Sequence, residues 1–158
     1  MRLYLVQHGQ ATTKEDNPER PLTEAGRTIV ESVAGRLAAA KAAPVARIWH
    51  SGKRRSAETA ELLAGRLHPP LGVRNADGLA PNDDPKVWRD QLEAMTHDVM
   101  LVGHLPHLAR LVGLLLTGDE TSQPVQFHNA GVVCLSQQDG GWRLDWSLPP
   151  SLLMAEGA

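Results

Sequence analysis

The sequence predicts an α/β fold: a three-layer α/β/α arrangement around a mostly parallel central sheet, with an antiparallel hairpin at one edge and no inserted cap domain. Three observations carry this. Strand-like and helix-like segments alternate along most of the chain, the order that builds parallel sheets through crossover helices. The strand-like segments Leu3–Val6 and Val99–Val102 are continuous apolar runs, as suits strands covered on both faces. Near the end, Asp139-Gly140-Gly141 separates two further runs and signals a hairpin.

In order, the first strand delivers Gln7-His8-Gly9, and Gln10 to Leu22, polar and containing Pro18 and Pro21, reads as a long surface loop. Thr23 is suited to cap a helix running to about Lys41, with Ile29, Val30, Val33 and Leu37 on one stripe. Val45 to Trp49 is the second strand. A second helix follows to about Leu67, with Ser51 as its expected N-cap and Arg55 near its first turn. Leu71 to Val73 is a brief strand, Asn75 to Pro85 a loop, and Lys86 to Met95 a helix with Trp88 and Leu92 inward. After Val99–Val102, Pro106 opens a helix carrying Leu108, Leu111, Val112 and Leu115 and closed by Gly118. Val132–Leu135 and Trp142–Trp146 flank the hairpin turn, with Trp142, Leu144 and Trp146 alternating against Arg143 and Asp145.

A chain of 158 residues, 42% apolar and 22% charged, is expected to form one domain over 1–158, with 149–158 as a C-terminal tail. The formal net charge of -2 gives no reason to expect a nucleic-acid or acidic-membrane partner, so an anion site must be a local concentration of positive charge. Lys53-Arg54-Arg55 is the place to look. The single cysteine, Cys134, excludes an internal disulfide framework and lies in an apolar run. Without a signal-like or membrane-spanning run, a cytoplasmic location is expected.

Ligands of open α/β sheets bind beyond the carboxyl ends of the strands. Three strands here end in polar groups followed by turns: Gln7-His8-Gly9, Ser51 with Arg55 in the next helix, and Gly103-His104. Two histidines and at least one arginine should therefore meet at one mouth. That combination suits phosphoryl chemistry, because guanidinium and amide groups neutralise phosphate oxygens while a neutral imidazole attacks phosphorus.

Four segments, in order, resemble the signatures of the histidine phosphatase superfamily: Gln7-His8-Gly9, Arg20-Pro21-Leu22-Thr23-Glu24-Ala25-Gly26, Ser51-x-x-x-Arg55-x-x-x-Thr59-Ala60, and Gly103-His104-Leu105-Pro106. In length the chain is similar to the small phosphohistidine phosphatases of the SixA type. The resemblance implies His8 as the residue transiently phosphorylated, and Arg55 and His104 as its catalytic partners. It implies phosphate contacts from Arg20, Gln7, Gly9 and the Leu105 amide, with no cofactor. The implied partner is a phosphohistidine-bearing protein, a phosphotransfer domain or phosphocarrier, with inorganic phosphate as product.

The family pattern opens with arginine where this chain has Gln7. An amide donates hydrogen bonds but carries neither charge nor a bidentate fork, and a lost transition-state donor is worth about 10² to 10³ in rate. A general phosphomonoesterase and a phosphate- or phosphoprotein-binding module are the alternatives. Gly52 stands where the family usually has proline, and Ser56 where it often has alanine. Glu58 is in the right helix for a general acid, but solvent or a neighbouring group is its expected partner. His104-x-x-His107 offers two metal-type ligands, yet no cysteine or spaced carboxylate completes a zinc set, so no metal is expected.

Overall fold

The computed structural model describes residues 1–154. Its strands are β1 (Arg2–Gln7), β2 (Arg47–His50), β3 (Val73–Asn75), β4 (Val99–Gly103), β5 (Val132–Gln138) and β6 (Gly141–Leu148). Its helices are α1 (Glu24–Ala40), α2 (Arg54–Leu67), α3 (Pro85–Glu93) and α4 (His107–Thr117). One sheet runs in the order β3-β2-β4-β1-β5-β6, parallel from β3 to β1 and antiparallel from β1 through β6. The predicted architecture is the one observed, and among the described residues no helical block interrupts it as a cap.

Alternation along β1 divides the interior. Tyr4 and Val6 pack with Val30, Val33 and Leu37 of α1 and Ala60 and Leu63 of α2, while Leu3 and Leu5 pack with Trp88 and Leu92 of α3 and Leu108 and Leu111 of α4. Both faces of the central strands are thus covered, which is why they read as unbroken apolar runs. Among the described residues no helix is long and apolar enough to cross a membrane.

Local chemistry sets the helix ends. Thr23 accepts a hydrogen bond from the Gly26 N–H at 2.9 Å, and Gly118 ends α4 in the left-handed region at φ 79°. Gly26 has a second reason to be glycine. A Cβ there would lie 2.2 Å from the Gln10 carbonyl oxygen, so the start of α1 seats directly on the loop that leaves His8. The hairpin turns on Asp139 and Gly140, at φ 51° and 78°, the two positive-φ residues of a type I′ connection.

Three expectations are corrected. The helix α2 begins at Arg54 behind Lys53, which makes no side-chain cap, and not behind Ser51. Gly52 has φ 88°, a value closed to the proline usual there, and this turn delays the helix. The second strand starts at Arg47 instead of Val45, because the Val45 N–H is spent on the Ala43 carbonyl in a turn; Val45 is buried all the same, hence the misreading. The third strand starts at Val73, two residues past Leu71, after Gly72 turns at φ 80°.

The strict alternation expected in β6 also fails. Cys134 pairs with Trp146 but Leu135 pairs with Leu144, leaving Asp145 as a bulge. Trp142 consequently packs on the α3/α4 side and Trp146 on the α1/α2 side, while Leu144 stays exposed. Of the expected tail 149–158, Pro150–Leu152 form a 3-10 turn with Pro150 buried and Leu153 packed against the core. Residues 155–158 lie outside the described residues.

Candidate active site

The carboxyl ends of β1, β4 and β2 lie side by side. Gln7 is opposite Gly103 in the β1–β4 pair, so the residues that follow, His8 and His104, emerge together; their ring centroids are 5.0 Å apart with planes inclined at 53°. On the far side of β4, β2 leads into Ser51, whose Oγ lies 2.6 Å from His104 Nε2. Both imidazoles are buried.

The turn after His8 is held from several directions. The His8 N–H donates to the Gly103 carbonyl at 3.1 Å, and the His8 carbonyl accepts from Asn129 Nδ2 at 2.9 Å. The Gly9 N–H donates to Thr59 Oγ1 at 3.0 Å, and the Thr59 hydroxyl donates to the Arg55 carbonyl at 2.8 Å. Thr59, fully buried, therefore ties the nucleophile's turn to the helix that carries Arg55. Gly9, expected as a phosphate contact, has its N–H engaged by Thr59 and its carbonyl by His8, so it braces the imidazole.

That carbonyl decides the chemistry of His8. Nδ1 is 2.7 Å from the Gly9 oxygen, which can only accept, so Nδ1 carries the proton and the neutral ring keeps its lone pair on Nε2. Burial lowers the His8 pKa, the Gly9 bond opposes that, and the charges on Arg55 and Arg20 lower it further. His104 is pushed down to about 3, by burial first and then by the His8, Arg55 and Lys53 charges. Two neutral rings thus face fixed cations at neutral pH.

The arginines come from separate segments. Burial and the charge on Arg20 lower the Arg55 pKa, and neither Arg20 nor Arg55 has a carboxylate partner among the described residues. Arg20 occupies the left-handed region at φ 50°, which costs of order 1 kcal/mol for a side chain of this kind, and its Nε donates to the Thr12 carbonyl at 3.0 Å. Glu58 fixes the same loop by accepting the Leu22 N–H at 2.7 Å. Its other oxygen lies 3.4 Å from both Arg27 and Arg54, so both carboxylate oxygens of Glu58 are engaged in anchoring.

Of the remaining predicted residues, Gln7 has its side-chain oxygen sealed without a partner, and its main-chain carbonyl accepts from the Ala130 N–H at 2.8 Å. Leu105 follows His104 at the mouth with its side chain exposed. Of the two neighbouring cations, Arg54 is drawn off to Glu19 at 2.6 Å and to Glu58, whereas Lys53 is close enough to His104 to lower its pKa. His107 turns into the interior, fully buried with both ring nitrogens unpartnered, and among the described residues no group of three or more His, Cys, Asp or Glu is arranged to hold a metal ion. Ser51, Ser56, Thr59 and Asn129 were not legible as site residues. Ser51 and Thr59 lie inside the motif given above, but a hydroxyl at a strand end reads first as a cap and one within a helix as an ordinary helix residue.

The depressed His8 pKa has a testable sign. Protonation of Nε2 abolishes its lone pair, so activity is retained above the folded-state pKa and lost as pH falls through it. The acid limb of kcat/KM, and the His8 titration midpoint followed by NMR, should lie below 6.5, and Arg20→Ala should move both upward by removing a charge that lowers the pKa. A midpoint above 6.5 in the wild type would contradict the arrangement.

Residues 3–80 match the family model of the histidine phosphatase superfamily, branch 1. No curated protein matches the chain. Among solved structures, the protein histidine phosphatase SixA complexed with tungstate is similar over 98% of this chain and 100% of that one, at 24% identity and a TM-score of 0.87. A candidate phosphohistidine phosphatase SixA from Agrobacterium tumefaciens is similar over 94% and 97%, at 26% identity and a TM-score of 0.76. The α-ribazole phosphatase from Shigella flexneri is similar over 95% and 97%, at 14% identity and a TM-score of 0.79.

Proposed function

We propose that this chain, a histidine phosphatase superfamily protein with the SixA fold, removes the phosphoryl group from N-phosphohistidine of a partner protein through a covalent intermediate on His8. The reading treats 1–158 as one catalytic domain. The observation that carries it is the fixed tautomer of His8: a nitrogen lone pair is held ready beside two guanidiniums that have no carboxylate partner among the described residues.

In the first step His8 Nε2 attacks phosphorus, the P–N bond to the partner's imidazole breaks, and that ring leaves neutral after prior protonation by solvent. In the second, water attacks phosphorus, the P–Nε2 bond breaks, its electron pair returns to His8, and phosphate departs. Arg55 and Arg20 balance the phosphoryl oxygens in both steps, His104 donates a hydrogen bond, and the Leu105 amide adds another. Gln7 supplies its amide N–H where the family has a guanidinium. A protonated imidazole is a good leaving group, so the engagement of Glu58 elsewhere is no obstacle. Fold similarity to the α-ribazole phosphatase keeps a second reading, hydrolysis of small phosphate esters, in play.

Phosphohistidine protein and nitrophenyl phosphate, each offered to the wild type and to Gln7→Arg, separate the readings. We expect turnover of the phosphoprotein and a further gain of up to about 10² with Gln7→Arg. Rapid ester hydrolysis with no phosphoprotein turnover would establish the second reading. No turnover by either protein above a His8→Ala control would leave a binding module.

A further inference from the structure

His104 is left with an unusual inventory. Its ring is 1% exposed, Nε2 faces the Ser51 hydroxyl at 2.6 Å, and Nδ1 is sealed from solvent with no partner. At neutral pH the ring is neutral, because burial and the charges around it hold its pKa at about 3. It therefore bears a single N–H, and whichever nitrogen holds it determines whether the ring presents a donor or a lone pair on the side away from Ser51.

The surroundings of Ser51 bias that choice. Its Oγ already accepts the Lys53 N–H at 3.3 Å, and its own N–H donates to Ser56 Oγ at 3.2 Å. The Ser56 hydroxyl, fully buried, donates in turn to the Val102 carbonyl at 2.7 Å, two residues before His104 on the same strand end. Ser51 is thus pinned to the segment that carries the imidazole it touches. With one lone pair occupied by Lys53 and no other acceptor for its hydrogen among the described residues, the hydroxyl can satisfy itself by donating to Nε2.

We propose that Ser51, braced by Ser56, is a positioning residue that donates its hydroxyl hydrogen to His104 Nε2 and so fixes the Nδ1–H tautomer, making His104 an uncharged hydrogen-bond donor to the phosphoryl group at His8. This rests on the phosphatase reading for its purpose, but not for its test. In the alternative tautomer Nδ1 would present a lone pair, which repels phosphoryl oxygens instead of binding them. A serine at position 56 strengthens the device because alanine there would free the Ser51 N–H from β4.

The test is nitrogen-15 NMR of the imidazoles in the full chain, with single turnover followed in parallel. In the wild type, His104 should show a protonated Nδ1 and an unprotonated Nε2. Ser51→Ala should give a tautomer mixture and slow phosphorylation of His8 about 10-fold, Ser51→Thr should restore both, and Ser56→Ala should shift both in the same direction by less. A wild-type His104 protonated at Nε2, or a Ser51→Ala protein with unchanged tautomer, overturns the proposal. The NMR outcome needs no turnover, so a protein that never phosphorylates His8 would defeat the phosphatase reading while the tautomer still decides the role of Ser51.

Discussion

Replacing His8 by alanine should eliminate acid-labile phosphate from the protein and lower turnover on the order of 10⁶-fold, the scale seen when a covalent nucleophile is removed. The size follows from what is lost. Without Nε2, water must displace the leaving imidazole directly, and no residue described at the site is placed to activate it: the only acidic side chain at the start of α2, Glu58, is engaged by Leu22, Arg27 and Arg54. The arginines remain, so inorganic phosphate should still bind with little change in affinity, and this separates loss of chemistry from loss of the site. Binding of phosphate by calorimetry and isotope trapping after acid and alkaline quench are the measurements. Wild-type turnover in the variant would place the nucleophile elsewhere.

That prediction was within reach of the sequence, because a histidine at the end of an apolar strand followed by glycine is a local pattern. The order of strands and helices was legible for the same reason, and so was the shared mouth of β1, β2 and β4. What stayed hidden depends on contacts between distant segments. Thr59 looks like an ordinary helix residue until the Gly9 N–H meets it across 50 positions. Glu58 reveals its anchoring of Leu22 only when α2 passes beneath the loop, 36 residues away in sequence. Ser51 fits a helix cap by intrinsic preference, but the φ of 88° at Gly52 moves the helix start past it. The Asp145 bulge reversed the facing of Trp146 against Trp142, an inversion that no alternation rule anticipates. Arg20 was identified from its motif, but its strained backbone at φ 50° was not.

Arg55→Ala is the sharper test of whether the site was built for an anion. Turnover should fall by about 10² to 10³, with inorganic phosphate binding weakened alongside, because one of two unpaired guanidiniums at the reacting group is gone. Arg55→Lys should recover only part of this, since an ammonium keeps the charge and loses the planar fork. Stability should move the other way. Burial and the charge on Arg20 lower the Arg55 pKa in the fold, so the charged side chain is less favourable there than in the unfolded chain, and its removal should leave the melting temperature equal or higher. The Thr59 hydroxyl bonds the main-chain carbonyl of residue 55, so the clamp on Gly9 survives the substitution. Phosphate should raise the melting temperature of the wild type by preferential binding to the folded state and should do so far less in Arg55→Ala. An arginine retained for packing alone would give the opposite pair of results, a less stable variant with phosphate binding intact. Two like charges held together with no neutralising carboxylate among the described residues form the arrangement expected of a site whose negative charge arrives with its ligand.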